Sequence, residues 1–319
     1  MRRRRCPPAI RRAGVTLVEL MVSMAIGMLV VLAASALLVA AKTAYVTQSD
    51  RALVLDTGRY ALDIIRRTVR QAALSDWDLA WETAVEAGVL GIDARSLKAT
   101  TEGISAPVPK SVNGSDILAV RFSGAGVSDD GDGSVLNCAG FGVGSKAATG
   151  VDRGWSIFYV AADSSGEPEL YCKYRGEDGW TAQAIARGVE SFQVLYALDA
   201  DGDGAPDTVV NASAIDAMDG ALTLSGRNAA ERLAELRRKS WWRKVAGVRV
   251  ALLVRGAHPV AADKSALWFD LFGKAYSDRY ASRDPGVRVF VSDLPKGVRN
   301  NVRRVFTAAI RLRNAPGDE

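Results

Sequence analysis

The stretch Arg11-Arg12-Ala13-Gly14-Val15-Thr16-Leu17-Val18-Glu19-Leu20 decides the fold of this 319-residue chain. From Ala13 to Ala41 the only ionisable side chain is Glu19, and Lys42 ends the apolar run. A helix of about 20 apolar residues is long enough to cross a bilayer, so this run predicts a membrane span. A carboxylate near one end of such a span is energetically costly, which makes Glu19 a candidate functional residue.

The arginines before this run explain the basic character of the chain. Six of them precede Gly14, and they account for more than the whole formal net charge of +5. The rest of the chain is close to neutral, so we expect no binding of nucleic acid. Arginines on the amino-terminal side predict a single-pass membrane protein, with its N-terminus in the cytoplasm and the remainder outside.

Two other interpretations of the apolar run compete with a membrane span that has a functional acid. A secretory signal peptide would be cut after the small residues 34–36, but its apolar region would be unusually long and would contain Glu19. A plain signal anchor fits the length of the run, but it leaves Glu19 unexplained.

The cysteines suggest one covalent link. Cys6 lies before the apolar run, which leaves Cys138 and Cys172 as an even pair on the predicted exported side. A disulfide is the default expectation in an oxidising compartment. It would contribute roughly 3 kcal/mol in the chain-entropy description. The alternative is two unpaired buried thiols.

The helical pattern continues beyond Lys42 as an amphipathic helix. Gly58 interrupts this pattern and indicates either a bend or a close approach by another element. The predicted apolar face consists of Tyr45, Ala52, Leu55, Ala61, Ile64, Ile65, Val69 and Ala72. The predicted polar face consists of Asp50, Arg51, Asp56, Arg59, Asp63, Arg66, Arg67 and Arg70.

The remainder of the chain has the pattern of a mainly β domain. Short apolar runs, several of them alternating, are separated by clusters of glycine, serine and aspartate, as in antiparallel strands with one buried face. Together with the long helix, they predict an α+β architecture. We also expect a short surface helix over 228–239. The predicted strands are 117–122, 155–161, 170–174, 192–198, 248–254, 287–291 and 305–312.

An acidic loop has the spacing of a calcium-binding loop. Asp199, Asp201, Asp203 and Asp207 occupy loop positions 1, 3, 5 and 9, and the carbonyl of Ala205 would add a ligand. Position 12 is Val210, where an EF-hand has a bidentate glutamate. The sequence therefore allows a partial calcium site, and equally an acidic turn that needs no metal.

Little in the sequence indicates catalysis. His258 is the single histidine, and no nucleophile, phosphate-binding loop or dinucleotide motif accompanies it. We expect no enzyme activity and no small-molecule substrate. The pair Trp241 and Trp242 predicts one ring in the core and one at the surface. We expect the arginines 299, 303 and 304 to be solvated.

The sequence from Gly14 to Leu20 resembles the signal of type IV prepilins. The resemblance implies cleavage by a prepilin peptidase between Gly14 and Val15, followed by methylation of the Val15 amine. It also implies that Glu19 pairs with the N-terminal amine of an incoming subunit during assembly. The chain departs from most members at Val15, where phenylalanine or methionine is usual, and at Ala36, where many major pilins have a proline.

Later blocks are similar in order and spacing to PilW-type minor pilins. They are residues 59–63, 116–121, 170–172, 188–196, 248–254 and 304–306. The resemblance implies a leader over 1–14, a long helix over 15–74 with 15–41 in the membrane, and a periplasmic domain over 75–319. It also implies roles in pilus assembly, priming of the pilus tip, twitching motility and adhesion.

The same resemblance implies the partners of the chain and leaves other machines open. The partners would be other minor and major pilins, the inner-membrane assembly machinery and the prepilin peptidase. One alternative is a minor pseudopilin of type II secretion. Another, of a different class, is a membrane-anchored periplasmic binding module that depends on calcium.

Overall fold

The computed structural model describes residues 14–72, 87–128, 130–144, 154–259 and 267–313. The chain divides into two compact units, residues 1–49 and residues 50–319. Helix α1 (Leu17–Arg70) contributes to both. Among the described residues, α1 is the helix whose length and composition would allow it to cross a membrane.

The part of α1 in the first unit is covered by no other element of its own unit. Residues 14–45 are all exposed, including Leu17, Met21 and Leu37. The hydroxyls of Ser23 and Ser35 donate to the carbonyl oxygens four residues earlier, so these polar groups are satisfied within the helix. An apolar surface of this extent needs lipid or other subunits around it.

The part of α1 in the second unit packs into the main hydrophobic core. Val54, Ala61, Ile65 and Val69 recur at helical spacing and are almost fully buried. The helix runs through Gly58 without a break. A Cβ atom at Gly58 would lie 2.4–2.5 Å from the ring of Phe306, so Gly58 marks a close approach and not a bend.

Two antiparallel sheets supply most of the rest of this core, which confirms the predicted α+β class. The first sheet has the order β1-β2-β3-β4-β5 and the second has the order β11-β8-β6-β7. The strands of the first sheet are β1 (Val89–Ile92), β2 (Ile117–Phe122), β3 (Gly154–Ala162), β4 (Pro168–Gly176) and β5 (Gly179–Arg187). Those of the second sheet are β6 (Val189–Leu198), β7 (Thr208–Val210), β8 (Val245–Pro259) and β11 (Asn301–Arg311).

A small lobe covers the outer face of the second sheet. It consists of β9 (Trp268–Asp270), α4 (Lys274–Tyr280) and β10 (Arg288–Phe290), with β9 and β10 paired. Leu271, Val289 and Leu294 of the lobe form an apolar cluster with Ala251 and Leu253 of β8. Both faces of β8 are therefore buried.

The segment just before β2 joins the two sheets. Asp116 donates its backbone N–H to the carbonyl of Phe192 on β6, at 2.8 Å. Ser115 accepts from the Phe192 N–H through its hydroxyl oxygen, at 3.2 Å. This segment occupies the edge of β6 that β7 leaves open, so one chain segment ties the first sheet to the second.

Two more helices connect β7 to β8. Helix α2 (Ala212–Gly220) begins at Asn211, whose side chain accepts from the Ala214 N–H. Helix α3 (Ala229–Lys239) begins in the same way at Asn228, as the sequence predicts. A short 3-10 helix (Trp241–Lys244) follows it. Three further 3-10 turns lie at Val112–Gly114, Val291–Asp293 and Lys296–Val298.

The contact between Gly58 and Phe306 generates a stability prediction. Replacing glycine by alanine inside an open helix usually stabilises it by about 1 kcal/mol. We expect Gly58→Ala to lower the free energy of unfolding by about 1–3 kcal/mol, because the new methyl group overlaps the Phe306 ring. Denaturant unfolding of the full chain in detergent measures this change. Adding Phe306→Leu to the Gly58→Ala variant should recover part of the loss, and no recovery would contradict the proposed overlap.

Candidate functional site

Glu19 and Thr16 form a reciprocal cap at the start of α1. The Glu19 carboxylate accepts from the backbone N–H and from the hydroxyl of Thr16, both at 2.9 Å. The Thr16 hydroxyl oxygen accepts in turn from the Glu19 N–H at 3.2 Å. This is the capping-box arrangement, which satisfies helix-terminal N–H groups. These partners are all neutral, so the capping box places no positive charge beside Glu19.

The predicted disulfide is confirmed. Cys138 and Cys172 are bonded, with their Cα atoms 5.8 Å apart. Cys172 lies on β4, and the Cys138 N–H donates to the hydroxyl oxygen of Ser156 on β3. The disulfide therefore ties the loop that follows β2 to the middle of the first sheet.

Asp50 gives the single histidine of the chain a structural partner. The Asp50 side chain lies on α1 and is buried, although the sequence predicted it on the polar face of that helix. Its Oδ2 atom accepts from the His258 backbone N–H at 2.8 Å, and Oδ1 lies 2.9 Å from His258 Nδ1. The pair connects α1 to the end of β8, while the imidazole itself remains 64% exposed.

A buried ion network joins three strands. Glu190 on β6 contacts the guanidinium groups of Arg255 on β8 and Arg303 on β11, at 3.0 and 2.6 Å. Arg255 also forms an ion pair with Glu167, in the turn between β3 and β4, at 2.6 Å. The prediction that Arg303 is solvated is therefore wrong, because its side chain is only 2% exposed.

The two adjacent tryptophans differ in burial, as predicted. Trp242 is buried, packs edge-on against Tyr196 and donates its indole N–H to Asp216 Oδ1 at 3.0 Å. Trp241 is half-buried, and the ammonium group of Lys244 lies 5.0 Å from its ring centre.

The acidic loop brings together three of the four predicted carboxylate ligands. One carboxylate oxygen from each of Asp199, Asp201 and Asp207 lies within 4.8 Å of the other two. Asp203 is not part of this group, and its Oδ1 accepts from the Ala205 N–H at 2.7 Å. Both oxygens of Asp199 accept from loop amides, at 2.7 and 2.8 Å, as an acidic turn also would. Calcium binding therefore stays a prediction.

A long apolar helix with a carboxylate in its first turn, continuing into an antiparallel α+β domain, defines a membrane-anchored protein of the pilin type. The family comparisons agree with this class. Residues 10–35 match the prokaryotic N-terminal methylation motif, and residues 157–314 match the type IV pilus-assembly protein W family, PilW. The chain therefore belongs to the PilW type of the type IV prepilins. No curated protein and no solved structure matches it.

The buried ion network generates a second stability prediction. Glu190→Gln would leave the guanidinium groups of Arg255 and Arg303 without their shared buried carboxylate. We expect a loss of about 3 kcal/mol in the free energy of unfolding, since breaking a buried ion pair leaves an uncompensated charge. Glu177→Gln, at an exposed position between β4 and β5, is the control. Equal stability of the two variants would show that the network is dispensable.

The acidic loop generates a prediction about metal binding. If its oxygens bind calcium, the ion should raise the melting temperature of the full chain, since a ligand that binds only the folded state stabilises it. The expected gain is about 2.7 kcal/mol at a hundredfold excess over the dissociation constant. Asp201→Asn should remove this effect, and Asp130→Asn, at an exposed position between β2 and β3, should preserve it. No calorimetric heat of binding and no thermal shift would identify an acidic turn.

Proposed function

We propose that the chain is a minor pilin that takes part in type IV pilus assembly and in priming of the pilus tip. It would be made as a prepilin, cut between Gly14 and Val15 by prepilin peptidase, and methylated on Val15. The observation that carries the proposal is the presence, in one chain, of a methylation motif and a PilW-type region.

The environment of Glu19 supports a role in assembly. Its carboxylate lies on a helix segment whose apolar side chains are exposed, as at Leu17 and Leu20. When lipid or neighbouring helices cover that surface, a charge without a counter-ion becomes very unfavourable. The N-terminal amine of an incoming subunit would supply the missing positive charge. The amine could then act as a check on the register in which subunits join.

The surroundings of α1 also support the proposed location and partners. The exposed apolar segment 14–45 fits a subunit that waits in the inner membrane with its globular domain in the periplasm. The partners would be the matching helices of other minor and major pilins, together with the assembly machinery. Roles in twitching motility and adhesion would follow from incorporation into the pilus.

A structural role also fits the one histidine of the chain. His258 is bound to Asp50 through both its backbone N–H and its ring. This arrangement joins α1 to β8, so the imidazole contributes to the packing of these two elements. We propose no catalytic activity and no small-molecule substrate, and no nucleic-acid partner because the chain beyond its N-terminal arginines is close to neutral.

The capping box allows the charge of Glu19 to be tested separately from its role in the helix. Glutamine can also serve in a capping box, so Glu19→Gln keeps a cap and removes the charge. Glu19→Ala removes both. We expect both variants to be cleaved normally and to lose incorporation into pili, because assembly depends on the charge. Intact-mass analysis of membranes and immunodetection in sheared pili measure the two steps.

Three outcomes would change the proposal. Normal incorporation of the Glu19→Gln variant would assign Glu19 to helix capping alone. An uncut wild-type chain in cells with an active prepilin peptidase would remove the pilin assignment and favour an anchored binding module. Normal piliation with lost protein secretion in a deletion strain would place the chain in a type II secretion machine.

A further inference from the structure

The last strand of the first sheet, β5, is paired on one side only. The sheet has the order β1-β2-β3-β4-β5, so β4 covers one edge of β5 and no further strand of that sheet covers the other. Among the described residues, no backbone hydrogen bond outside the β4–β5 ladder involves residues 180–187. Thr181, Gln183 and Ala184 are exposed. The outer edge of this nine-residue strand is therefore open.

The hairpin turn between β4 and β5 fixes which peptide groups of β5 point outward. The turn has two residues, 177 and 178, and Gly176 and Gly179 close it. The pair that closes a two-residue turn exchanges hydrogen bonds, and pairs of this kind alternate along an antiparallel ladder with pairs that do not. The residues whose N–H and C=O groups are directed away from β4 are therefore Trp180, Ala182 and Ala184.

The other edge strands of the described sheets are protected in ways that β5 is not. Proteins prevent a foreign strand from adding to a sheet edge by making the edge short, or by placing charges, prolines or bulges on it. The edge strands β1, β7, β9 and β10 have four residues or fewer, and the long β11 carries the exposed Arg304 and Arg311. Residues 179–186 contain no charge and no proline, and the β4–β5 ladder is regular from Gly179 to Ala184. Among these edges, β5 is therefore the one that is both long and unprotected.

One face of β5 carries apolar surface that an added strand would cover. Trp180 and Ala182 are partly buried against the apolar cluster that contains Ile157 and Tyr159 of β3. The Trp180 ring meets the Trp155 ring edge-on, with the ring centroids 5.7 Å apart. Side chains opposite each other on neighbouring strands pack together, so a strand beside β5 would extend this apolar face and bury more of it.

The charges at the two ends of β5 indicate which strand fits this edge. The turn before β5 carries two exposed acids, Glu177 and Asp178. The strand ends at Arg187, whose side chain is 83% exposed although its Nε atom lies 2.8 Å from Glu169 Oε1. An antiparallel second copy of β5 would bring the basic end of each strand beside the acidic turn of the other. A parallel copy would instead bring like charges together, which is destabilising.

We propose that two copies of the chain pair through antiparallel β5 strands, which joins their first sheets into one continuous sheet. The open edge of β5 is then covered by the same edge of a second copy, related by a two-fold axis that crosses the middle of β5 near Gln183. The outward peptide groups of both strands would form the new ladder, as in other cases of strand addition. The charges at the strand ends would fix its direction. This pairing goes beyond the proposed role in pilus assembly and does not rest on it.

The first experiment measures the mass of the full chain in detergent by analytical ultracentrifugation over a range of protein concentrations. We expect a reversible dimer in the wild type. Gln183→Lys places like charges on both sides of the two-fold axis, so the dissociation constant of the dimer should rise by about fivefold or more. Thr307→Lys, at an exposed position on the edge strand β11, is the matched control and should leave this constant unchanged.

A backbone variant tests the hydrogen bonds of the new ladder directly. Ala182→Pro removes an N–H group that is directed away from β4, and a sheet edge tolerates proline at such a position. We expect this variant to be monomeric in the same experiment, with the circular dichroism spectrum of the folded wild type. If Ala182→Pro fails to fold, Gln183→Lys still tests the pairing, because it changes only an exposed side chain.

Cysteine crosslinking of the full chain in membranes tests the direction of the pairing. Antiparallel pairing brings Gln183 close to its own copy, whereas the two copies of Asp178 lie at opposite ends of the new ladder. Gln183→Cys should therefore form an intermolecular disulfide under mild oxidation, and Asp178→Cys should not. The wild type is the control, since Cys138 and Cys172 are already bonded to each other.

Four results would overturn the proposal. The first is a monomeric wild type, even if Gln183→Lys loses incorporation into pili, because the edge would then bind a strand of another subunit. The second is a dimer that survives both Gln183→Lys and Ala182→Pro, as association through the apolar part of α1 would. The third is equal weakening by Gln183→Lys and Thr307→Lys, which would be an effect of added charge alone. The fourth is equal crosslinking of Gln183→Cys and Asp178→Cys, which would indicate parallel pairing.

Discussion

Burial of one stripe of α1 in the main core is the constraint on which the domain depends. Val54, Ala61, Ile65 and Val69 are covered there by residues of both sheets. The depth of the helix is limited by the Phe306 ring, which packs where Gly58 has no side chain. The sheets themselves are joined by the short segment before β2, so the helix packs on one continuous core and not on two separate sheets.

Inside this domain, three buried carboxylates have different kinds of partner. Glu190 is compensated by two arginines on neighbouring strands. Asp50 accepts from the backbone N–H of His258, and its other oxygen lies beside the ring of the same residue. Asp116 receives backbone N–H groups, which stabilise a carboxylate but carry no formal charge. Each arrangement connects elements far apart in sequence, so buried polar groups here specify how the elements meet.

The sequence predicted the elements better than the polar contacts between them. Runs of alternating apolar residues located seven strands, and the capping residue Asn228 located α3. The strands β1, β5, β7 and β9 escaped prediction because they are short or largely exposed, and the helices α2 and α4 because both have nine residues or fewer. The helical pattern predicted Asp50 on the polar face of α1, and the basic cluster predicted a solvated Arg303, but both side chains are buried. Their partners, His258 and Glu190, lie over a hundred residues away and leave no local signal.

Two carboxylates whose hydrogen-bond donors are neutral, Asp116 and Glu19, show how the two units of the chain differ. Asp116 lies in a closed core, where both of its carboxylate oxygens accept backbone N–H groups of the same domain. Glu19 lies on a helix surface that its own unit leaves open, so another molecule can supply a compensating positive charge. The capping box holds the Glu19 carboxylate in a defined position and leaves its charge unbalanced. A charge that is positioned but not neutralised favours a partner that brings the opposite charge to that position, as the amine of a second subunit would.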